Sequence, residues 1–219
     1  MNGATLIDLS HTIEDGMITY KGLPAPIICD FLSREASRKR YASGTEFHIG
    51  KIEMVANTGT YLDSPFHRYA DAIDIAELPL ESLANLRCVV VRATARSSRA
   101  ITSLPNKVDL HGAAVLFHTG WDAHWRTDQY FEGHPHLTGE LAEELVRRGA
   151  ALVGIDSFNI DSTDDGTRPV HSVLLRAGIP IAEHLCNLAN VPESGARFYA
   201  VPAKVKGMGT FPVRAFARL

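Results

Sequence analysis

The chain has 219 residues, of which 45% are hydrophobic and 21% are charged. This length and composition predict one globular domain over residues 1–219 and exclude the disordered and fibrous classes of protein. The formal net charge of −3 and the scattered Lys and Arg residues give no reason to expect nucleic acid or an anionic membrane as a partner.

The start of the chain and its cysteines bear on location and cross-linking. The opening MNGATLIDLSHTIEDG lacks the basic start and apolar core of a signal peptide. No apolar run approaches the roughly 18 residues that span a bilayer. We therefore expect a cytoplasmic protein with no membrane partner. Cys29, Cys88 and Cys186 are odd in number and form no CxxC pattern, so each is predicted to be a small core residue.

Nine segments carry the patterns of regular structure, and most of the strands are short apolar runs rich in Val and Ile. In chain order they are strands at 5–9 and 49–55, a helix at 80–86, strands at 88–93 and 113–118, a helix at 139–148, a strand at 151–155, a helix at 181–188 and a strand at 197–203. The irregular stretch 22–45 is interpreted as a cover for a site, an oligomer interface or a plain solvated loop. Because strands outnumber helices and their spacing is irregular, the pattern favours a mixed α/β or α+β architecture.

The densest polar cluster outside obvious turns is NTGTYLDSPFH at 57–67, directly after a predicted strand. Its carboxylate, Asp63, and its imidazole, His67, are four residues apart in a segment shaped by Gly and Pro. Both side chains can therefore converge on one small molecule. The same letters also fit an ordinary Asp-Ser-Pro turn with a histidine that satisfies a core hydrogen bond.

The string NTGTYLDSPFH resembles the HxGTHxDxPxH signature of the cyclase superfamily, which includes metal-dependent kynurenine formamidases and isatin hydrolases. The segments LIDLSHTIEDGM, FHTGW, GIDSFNID and HSVLLRAGIPIAEHLCNL resemble further segments of those enzymes in the same order. The resemblance covers nearly the whole chain. It implies a mixed α/β domain with a central mixed β-sheet or barrel flanked by helices. It also implies a homodimer or larger homo-oligomer, with neighbouring subunits helping to wall the pocket.

Position by position, the resemblance implies a divalent metal, zinc or manganese, held by Asp63, His171 and Glu183, with His67 as the catalytic acid/base. Two histidine positions of the signature hold Asn57 and Tyr61 in this chain. An amide oxygen is a weak metal ligand, and a phenol coordinates well only after losing a proton with a pKa near 10. The substitutions therefore favour a mononuclear site of three protein ligands with an open position for water, or a polar pocket without metal.

Some of the same residues also fit purely structural roles. His171 also fits a residue that ties down the preceding loop, and Glu183 fits a solvated helix face. Tyr61 and Asn57 can donate hydrogen bonds to a developing oxyanion, although Tyr61 also fits a packing role.

Further side chains are assigned from position and residue type. Ser64 and Phe66, from the motif, and Trp121, an aromatic that also fits the core, are predicted to contact a small-molecule substrate. Asp156 and Asp161 flank a turn after a buried strand, where they can meet a ligand or fix the loop through backbone hydrogen bonds. The cluster of His118, His124, His134 and His136 is predicted to lie in an exposed loop.

Together these features predict a hydrolase of a small amide or cyclic amide, an EC 3.5-like reaction. Water activated by His67, with help from the metal, attacks the carbonyl, and His67 then passes the proton to the leaving nitrogen. One alternative is a non-hydrolytic small-molecule-binding homologue that lost hydrolysis along with the two histidines. Another is a metal-free lyase or isomerase that uses Tyr61 and His67 as an acid and base pair.

Overall fold

The computed structural model of the protein describes residues 5–95, 98–105, 107–164 and 166–219. Within these ranges the strands are β1 (Leu6–Asp8), β2 (Ile27–Leu32), β3 (Ile49–Glu53), β4 (Tyr61–Asp63), β5 (Leu86–Arg92), β6 (Ala100–Ile101), β7 (Ala113–His118), β8 (His136–Leu137), β9 (Leu152–Ile155), β10 (Ile181–Glu183), β11 (Arg197–Tyr199), β12 (Thr210–Pro212) and β13 (Phe216–Arg218). The α-helices are α1 (Arg34–Ser37), α2 (Gly139–Arg147) and α3 (Pro169–Arg176). Single turns of 3-10 helix occur at Pro65–His67, Leu80–Ser82, Trp121–His124, Asp128–Phe131 and Leu188–Asn190.

Nine strands form one mixed sheet in the order β1-β13-β11-β5-β7-β9-β10-β4-β12. The central strands β5, β7, β9 and β10 run parallel, and antiparallel strands extend the sheet on both sides. The sheet curls, so that the chain just after β1 meets the chain just after β10, and Leu9 bonds to both sides. Its N–H donates to the Ala215 carbonyl at 2.9 Å, and its carbonyl accepts from the Cys186 N–H at 3.0 Å. The predicted mixed α/β fold with a central mixed sheet is confirmed.

Both faces of the central strands are buried. In β7, Val115 and Phe117 belong to the core that includes α2 and α3, whereas Ala114 and Leu116 belong to the core on the other face. A parallel strand covered on both faces needs apolar side chains at nearly every position. This requirement explains why the run at 113–118 is continuous rather than alternating, and its predicted bounds match β7.

Helix α2 begins where the sequence provides a cap. The Thr138 side chain accepts a hydrogen bond from the Leu141 N–H at 3.3 Å, and Gly149, with φ of 72°, takes the chain out of the helix. The predicted helix at 139–148 is therefore confirmed to within one residue. Among the described residues, no helix is long and apolar enough to cross a membrane.

The predicted helix at 181–188 is wrong. Ile181–Glu183 form strand β10, which pairs parallel to β9 and antiparallel to β4, whereas the helix of this region, α3, ends at Arg176. A short apolar run fits a buried strand as well as a helix, and here the neighbouring strands decide. Of the predicted helix at 80–86, only the turn Leu80–Ser82 is helical. Strand β4 lies inside the polar segment 57–67, for which the sequence pattern predicts no strand.

The irregular stretch 22–45 contains β2 and α1, and β2 pairs with β3 in a separate two-stranded sheet. We call β2 and β3 the hairpin. Every residue of β3 is exposed, and the Phe31 side chain in β2 is 71% exposed. Cys29 is also exposed there, so its predicted core position is wrong, whereas Cys88 and Cys186 are buried as predicted. The hairpin therefore presents apolar side chains at the protein surface.

Candidate active site

A cavity of about 480 Å³ lies beside β4 and β10. Its lining side chains and backbone come from distant parts of the chain: Tyr20, Leu23, Asn57, Tyr61, His67, Arg68, Asn159, Gly166, Thr167, Arg168, His171 and Glu183. The cavity thus collects five polar residues singled out by the sequence, namely Asn57, Tyr61, His67, His171 and Glu183.

Strand pairing places Asp63 next to this cavity. Among the described residues it is not part of the lining, but its carboxylate lies 3.8 Å from His67 Nδ1 and 3.7 Å from His171 Nε2, and both histidines line the cavity. Asp63 ends β4, between Ile181 of β10 and Thr210 of β12, and it is completely buried. Its Oδ1 accepts a hydrogen bond from the Thr210 hydroxyl, but its Oδ2 is buried and has no hydrogen-bond partner in the part of the chain that the structure describes. Burial opposes ionisation, yet the nearby imidazoles of His67 and His171 outweigh burial and lower the pKa of Asp63.

His171 faces Asp63 from α3 and is held there by Asp161. The Asp161 carboxylate accepts hydrogen bonds from the Val170 N–H at 2.7 Å, the His171 N–H at 3.0 Å and the His171 Nδ1 at 2.7 Å. His171 Nε2 consequently lies 3.7 Å from Asp63 Oδ2 and 3.9 Å from Glu183 Oε1. Burial lowers the pKa of His171, but the three surrounding carboxylates outweigh burial and raise that pKa to about 10.

Glu183 lies in β10 and is 1% exposed, so its interpretation as part of a solvated helix face is wrong. Its Oε2 accepts a hydrogen bond from the Tyr61 hydroxyl at 2.8 Å, and its Oε1 accepts from the Ile160 N–H at 2.6 Å. Burial raises the pKa of Glu183 to about 7. Burial also raises the pKa of Tyr61 well above its ordinary value, so this phenol stays protonated. His184 Nε2 lies 3.2 Å from the same hydroxyl.

His67 stands at the edge of the cavity, with 36% of its side chain exposed. It ends the 3-10 turn that begins at Pro65, and its Nδ1 lies 2.8 Å from Thr210 Oγ1. The chain at Gly209 passes so close that a Cβ there would lie 2.5 Å from His67 Cα and 2.7 Å from His67 N. Glycine at 209 therefore permits β12 to bring Thr210 up to the histidine.

The side chains at this site fit a divalent cation. Asp63 Oδ2 is a buried carboxylate oxygen that accepts no hydrogen bond from the described residues, so its lone pairs are open to a cation. Asp63, His67 and His171 each offer one ligand atom, and these atoms lie within 4.8 Å of one another. Oxygen and imidazole nitrogen donors suit zinc and manganese. The Asp161 bond to Nδ1 is also the kind of support that leaves Nε2 of a ligating histidine available.

The predicted substrate contacts lie elsewhere. Within the described part of the chain, the cavity lining does not include Ser64, Phe66 or Trp121. The Ser64 hydroxyl donates to the Gly209 carbonyl at 2.9 Å, and Trp121 Nε1 donates to the Tyr130 carbonyl at 3.0 Å. Phe66 is half-buried beside the 3-10 turn. The side chains of Ser64 and Trp121 therefore donate hydrogen bonds to backbone carbonyls.

Two further polar residues take structural positions. His134 is 1% exposed, with Nε2 3.0 Å from the Asp161 carbonyl, so its predicted place in an exposed loop is wrong. Asp156 accepts from the Thr119 N–H, the Thr119 hydroxyl and the Gly120 N–H. It therefore fixes its loop, which is one of the two roles that the sequence left open.

Four residues of the cavity lining, and Thr210 beside it, were not identified from the sequence. Tyr20 donates its hydroxyl to the Phe158 carbonyl at 3.2 Å and accepts from Asn159 Nδ2. Arg68 and Arg168 add positive charge to the lining. Thr210 reaches both Asp63 and His67. Only Asn159 had a signal, because it lies within GIDSFNID, whereas the other four residues are in no motif.

Comparison with known proteins gives consistent results. The model of the Cyclase family matches residues 7–162. The kynurenine formamidase of Salinibacter ruber is 32% identical, with 97% of each chain covered. That of Bacillus cereus is 27% identical over 100% of this chain and 99% of its own length.

Solved structures agree in fold. Isatin hydrolase A from Labrenzia aggregata superposes with a TM-score of 0.81 at 21% identity, covering 99% of this chain and 94% of that chain. A predicted metal-dependent hydrolase from Bacillus stearothermophilus superposes with a TM-score of 0.71 at 26% identity, covering 99% of this chain and 98% of that chain. Each likeness extends over nearly the full length of both partners.

Proposed function

This chain belongs to the Cyclase family, and on that premise we propose that it hydrolyses the C–N bond of a small amide or cyclic amide. The observation that carries the proposal is a half-exposed imidazole, His67, in the cavity lining, next to the buried carboxylate of Asp63, whose Oδ2 has no hydrogen-bond partner among the described residues. A buried acidic group suits a cation, and an accessible imidazole suits proton transfer. The kynurenine formamidase and metal-dependent hydrolase relatives support the same reaction class.

We assign Asp63, His171 and Glu183 as the residues that hold a divalent metal, zinc or manganese. Such a metal, when bound, polarises the scissile carbonyl and lowers the pKa of water toward about 7. Asp161 keeps His171 Nε2 directed at Asp63 and Glu183. The Tyr61 hydroxyl and the Ile160 N–H each donate to one Glu183 oxygen, and each oxygen keeps a second lone pair for a cation. Asn57 and Tyr61 stand where the family signature has two histidines, and this favours one ion rather than two.

His67 moves the proton. As water adds to the carbonyl carbon, His67 accepts a proton from that water, and the C–N bond then breaks. The same proton passes from His67 to the leaving nitrogen, which departs as an amine, and the carbonyl carbon becomes a carboxylic acid. We assign Asn57, which lies in the cavity lining, as the donor of a hydrogen bond to the substrate oxygen.

Metal removal tests the proposed function. Protein purified without chelator should carry about one equivalent of zinc or manganese, as a site with one group of protein ligands predicts. It should hydrolyse at least one member of a panel of N-formyl arylamines and isatin, lose that activity in EDTA, and regain it with added zinc or manganese. Activity that EDTA leaves unchanged would support the metal-free lyase or isomerase. No metal and no turnover would support the binding homologue.

We further propose that the protein is a homodimer in which the hairpin is covered by a second copy. Ile27, Phe31 and Ile52 of the hairpin are 55%, 71% and 49% exposed, and a two-stranded sheet is only marginally stable without further packing. Phe31→Glu should shift the mass measured by light scattering from dimer to monomer. Leu80→Glu, at a side chain 63% exposed elsewhere, should not. A monomeric wild-type protein would contradict the proposal.

A further inference from the structure

Thr210 joins the two halves of the site through one hydroxyl group. It lies in β12 opposite Asp63 and is 2% exposed. Its Oγ1 bonds to Asp63 Oδ1 and lies 2.8 Å from His67 Nδ1. The direct distance from His67 Nδ1 to Asp63 Oδ1 is 3.8 Å, which is too long for a hydrogen bond. The aspartate therefore reaches the histidine through the threonine.

Counting protons gives each of these bonds a direction. A threonine hydroxyl has one hydrogen to donate, and an ionised carboxylate can only accept. The Thr210 hydrogen is consequently directed at Asp63, and toward His67 the oxygen can only accept. A neutral imidazole carries its hydrogen on one of its two nitrogens. The nitrogen that faces Thr210 must be the one that carries it.

We propose that Thr210 is a positioning residue that holds neutral His67 with its hydrogen on Nδ1, so that Nε2 is the atom that takes the proton from water. This inference deepens the proposed hydrolysis and rests on it. The chain of contacts also divides the work of Asp63 between its two oxygens. Oδ1 orients the base through Thr210, and Oδ2 faces the cation site.

The hydroxyl can be removed without moving the strand that carries it. The backbone of β12 is placed by its pairing with β4 and by the Ser64 N–H, which donates to the Gly209 carbonyl at 2.7 Å. Valine has nearly the shape of threonine without the hydroxyl, and serine keeps the hydroxyl. Thr210→Val therefore isolates the relay, and Thr210→Ser should rescue it.

A matched control is available at Thr119. Its side chain is 6% exposed, and its hydroxyl donates to the buried Asp156 at 2.5 Å, as Thr210 does to Asp63. Within the described residues, neither Thr119 nor Asp156 belongs to the cavity lining. Thr119→Val should thus lower stability through the same kind of lost bond and leave His67 unaffected.

Nitrogen NMR of the zinc-loaded protein, labelled with 15N-histidine, reads the tautomer directly, with His67 assigned by its absence from the spectrum of His67→Gln. We expect the hydrogen on Nδ1 in the wild type, in Thr210→Ser and in Thr119→Val, and on Nε2 in a large fraction of Thr210→Val molecules. On a panel amide, kcat of Thr210→Val should fall by about 10- to 100-fold with little change in KM, since loss of a general base costs about 100-fold or more.

A wild-type spectrum with the hydrogen of His67 on Nε2 overturns the inference, and this result does not depend on whether Thr210→Val folds. A Thr210→Val protein with unchanged tautomer and unchanged kcat overturns it as well. If the wild type hydrolyses no amide, the proposed function fails, while the spectrum still decides whether Thr210 sets the tautomer. The two failures are therefore distinguishable.

Discussion

Two histidines of the cavity are each paired with an aspartate, but in different ways. We call His171 with Asp161 the floor of the cavity, and His67 with Asp63 the rim. On the floor, His171 is 8% exposed and contacts Asp161 directly at 2.7 Å. On the rim, His67 is 36% exposed and meets Asp63 only through the Thr210 hydroxyl. A direct bond to a buried carboxylate fixes orientation and charge, which suits a metal ligand. A bond through a neutral hydroxyl to an accessible ring fixes orientation and leaves the proton exchangeable, which suits an acid/base.

The largest expected effect comes from removing the rim histidine. His67→Ala should lower turnover by about 100-fold or more, because proton transfer by a positioned side chain contributes about 100- to 10,000-fold. Metal content, measured on the purified variant, should remain at the wild-type level, since the proposed ligands Asp63, His171 and Glu183 are intact. A loss of metal would instead make His67 a ligand, which its position near Asp63 and His171 also allows. His111→Ala, at an exposed histidine outside the cavity lining, is the control and should turn over normally. Turnover that survives the loss of His67 removes it from the mechanism.

Replacing Asp161, the carboxylate that bonds to His171, should act first on the affinity for metal. In Asp161→Asn, His171 Nδ1 loses its charged partner, and the affinity for zinc measured by titration should fall by about 10- to 100-fold. Asp164→Asn is the matched control. It lies in the same loop, and its exposed ion pair with Arg99 contributes little, about 1 kcal/mol or less. If Asp161→Asn binds zinc as tightly as the wild type, the floor does not act through His171.

The contrast between floor and rim also marks what the sequence predicts. Asp63 and His67 are close in the chain, so their convergence follows from a four-residue spacing. His171 and Glu183 are far from both, and only the family resemblance singled them out. Their proximity depends on β4 pairing with β10 and on Asp161 bonding to the start of α3. Local patterns contain neither of these long-range contacts.

The pairing of strands also explains which predictions were wrong and which residues were missed. The run at 181–183 is apolar enough for a helix, but β9 and β4 on either side make it a strand. The role of Thr210 could not be predicted from the sequence, because this threonine lies in no motif. It reaches the site only through the pairing of β12 with β4. By contrast, the continuous apolar run of β7 and the Thr138 cap of α2 are local features, and the predicted bounds of both elements hold to within one residue.

The smallest expected effect on turnover comes from Tyr61→Phe, which tests whether the Tyr61 hydroxyl only positions Glu183 or takes part in the reaction. The change removes the donor to Glu183 Oε2 and a partner of His184, so the free energy of unfolding should fall by about 1–3 kcal/mol in urea denaturation. Turnover should fall far less than in His67→Ala, because the tyrosine hydrogen is directed at Glu183 and not at substrate. Tyr69→Phe, which removes a partly buried hydroxyl bonded to the Ser172 carbonyl, is the control for losing a phenol. A loss of turnover as large as that of His67→Ala would instead make Tyr61 one half of an acid and base pair, as the metal-free lyase or isomerase requires.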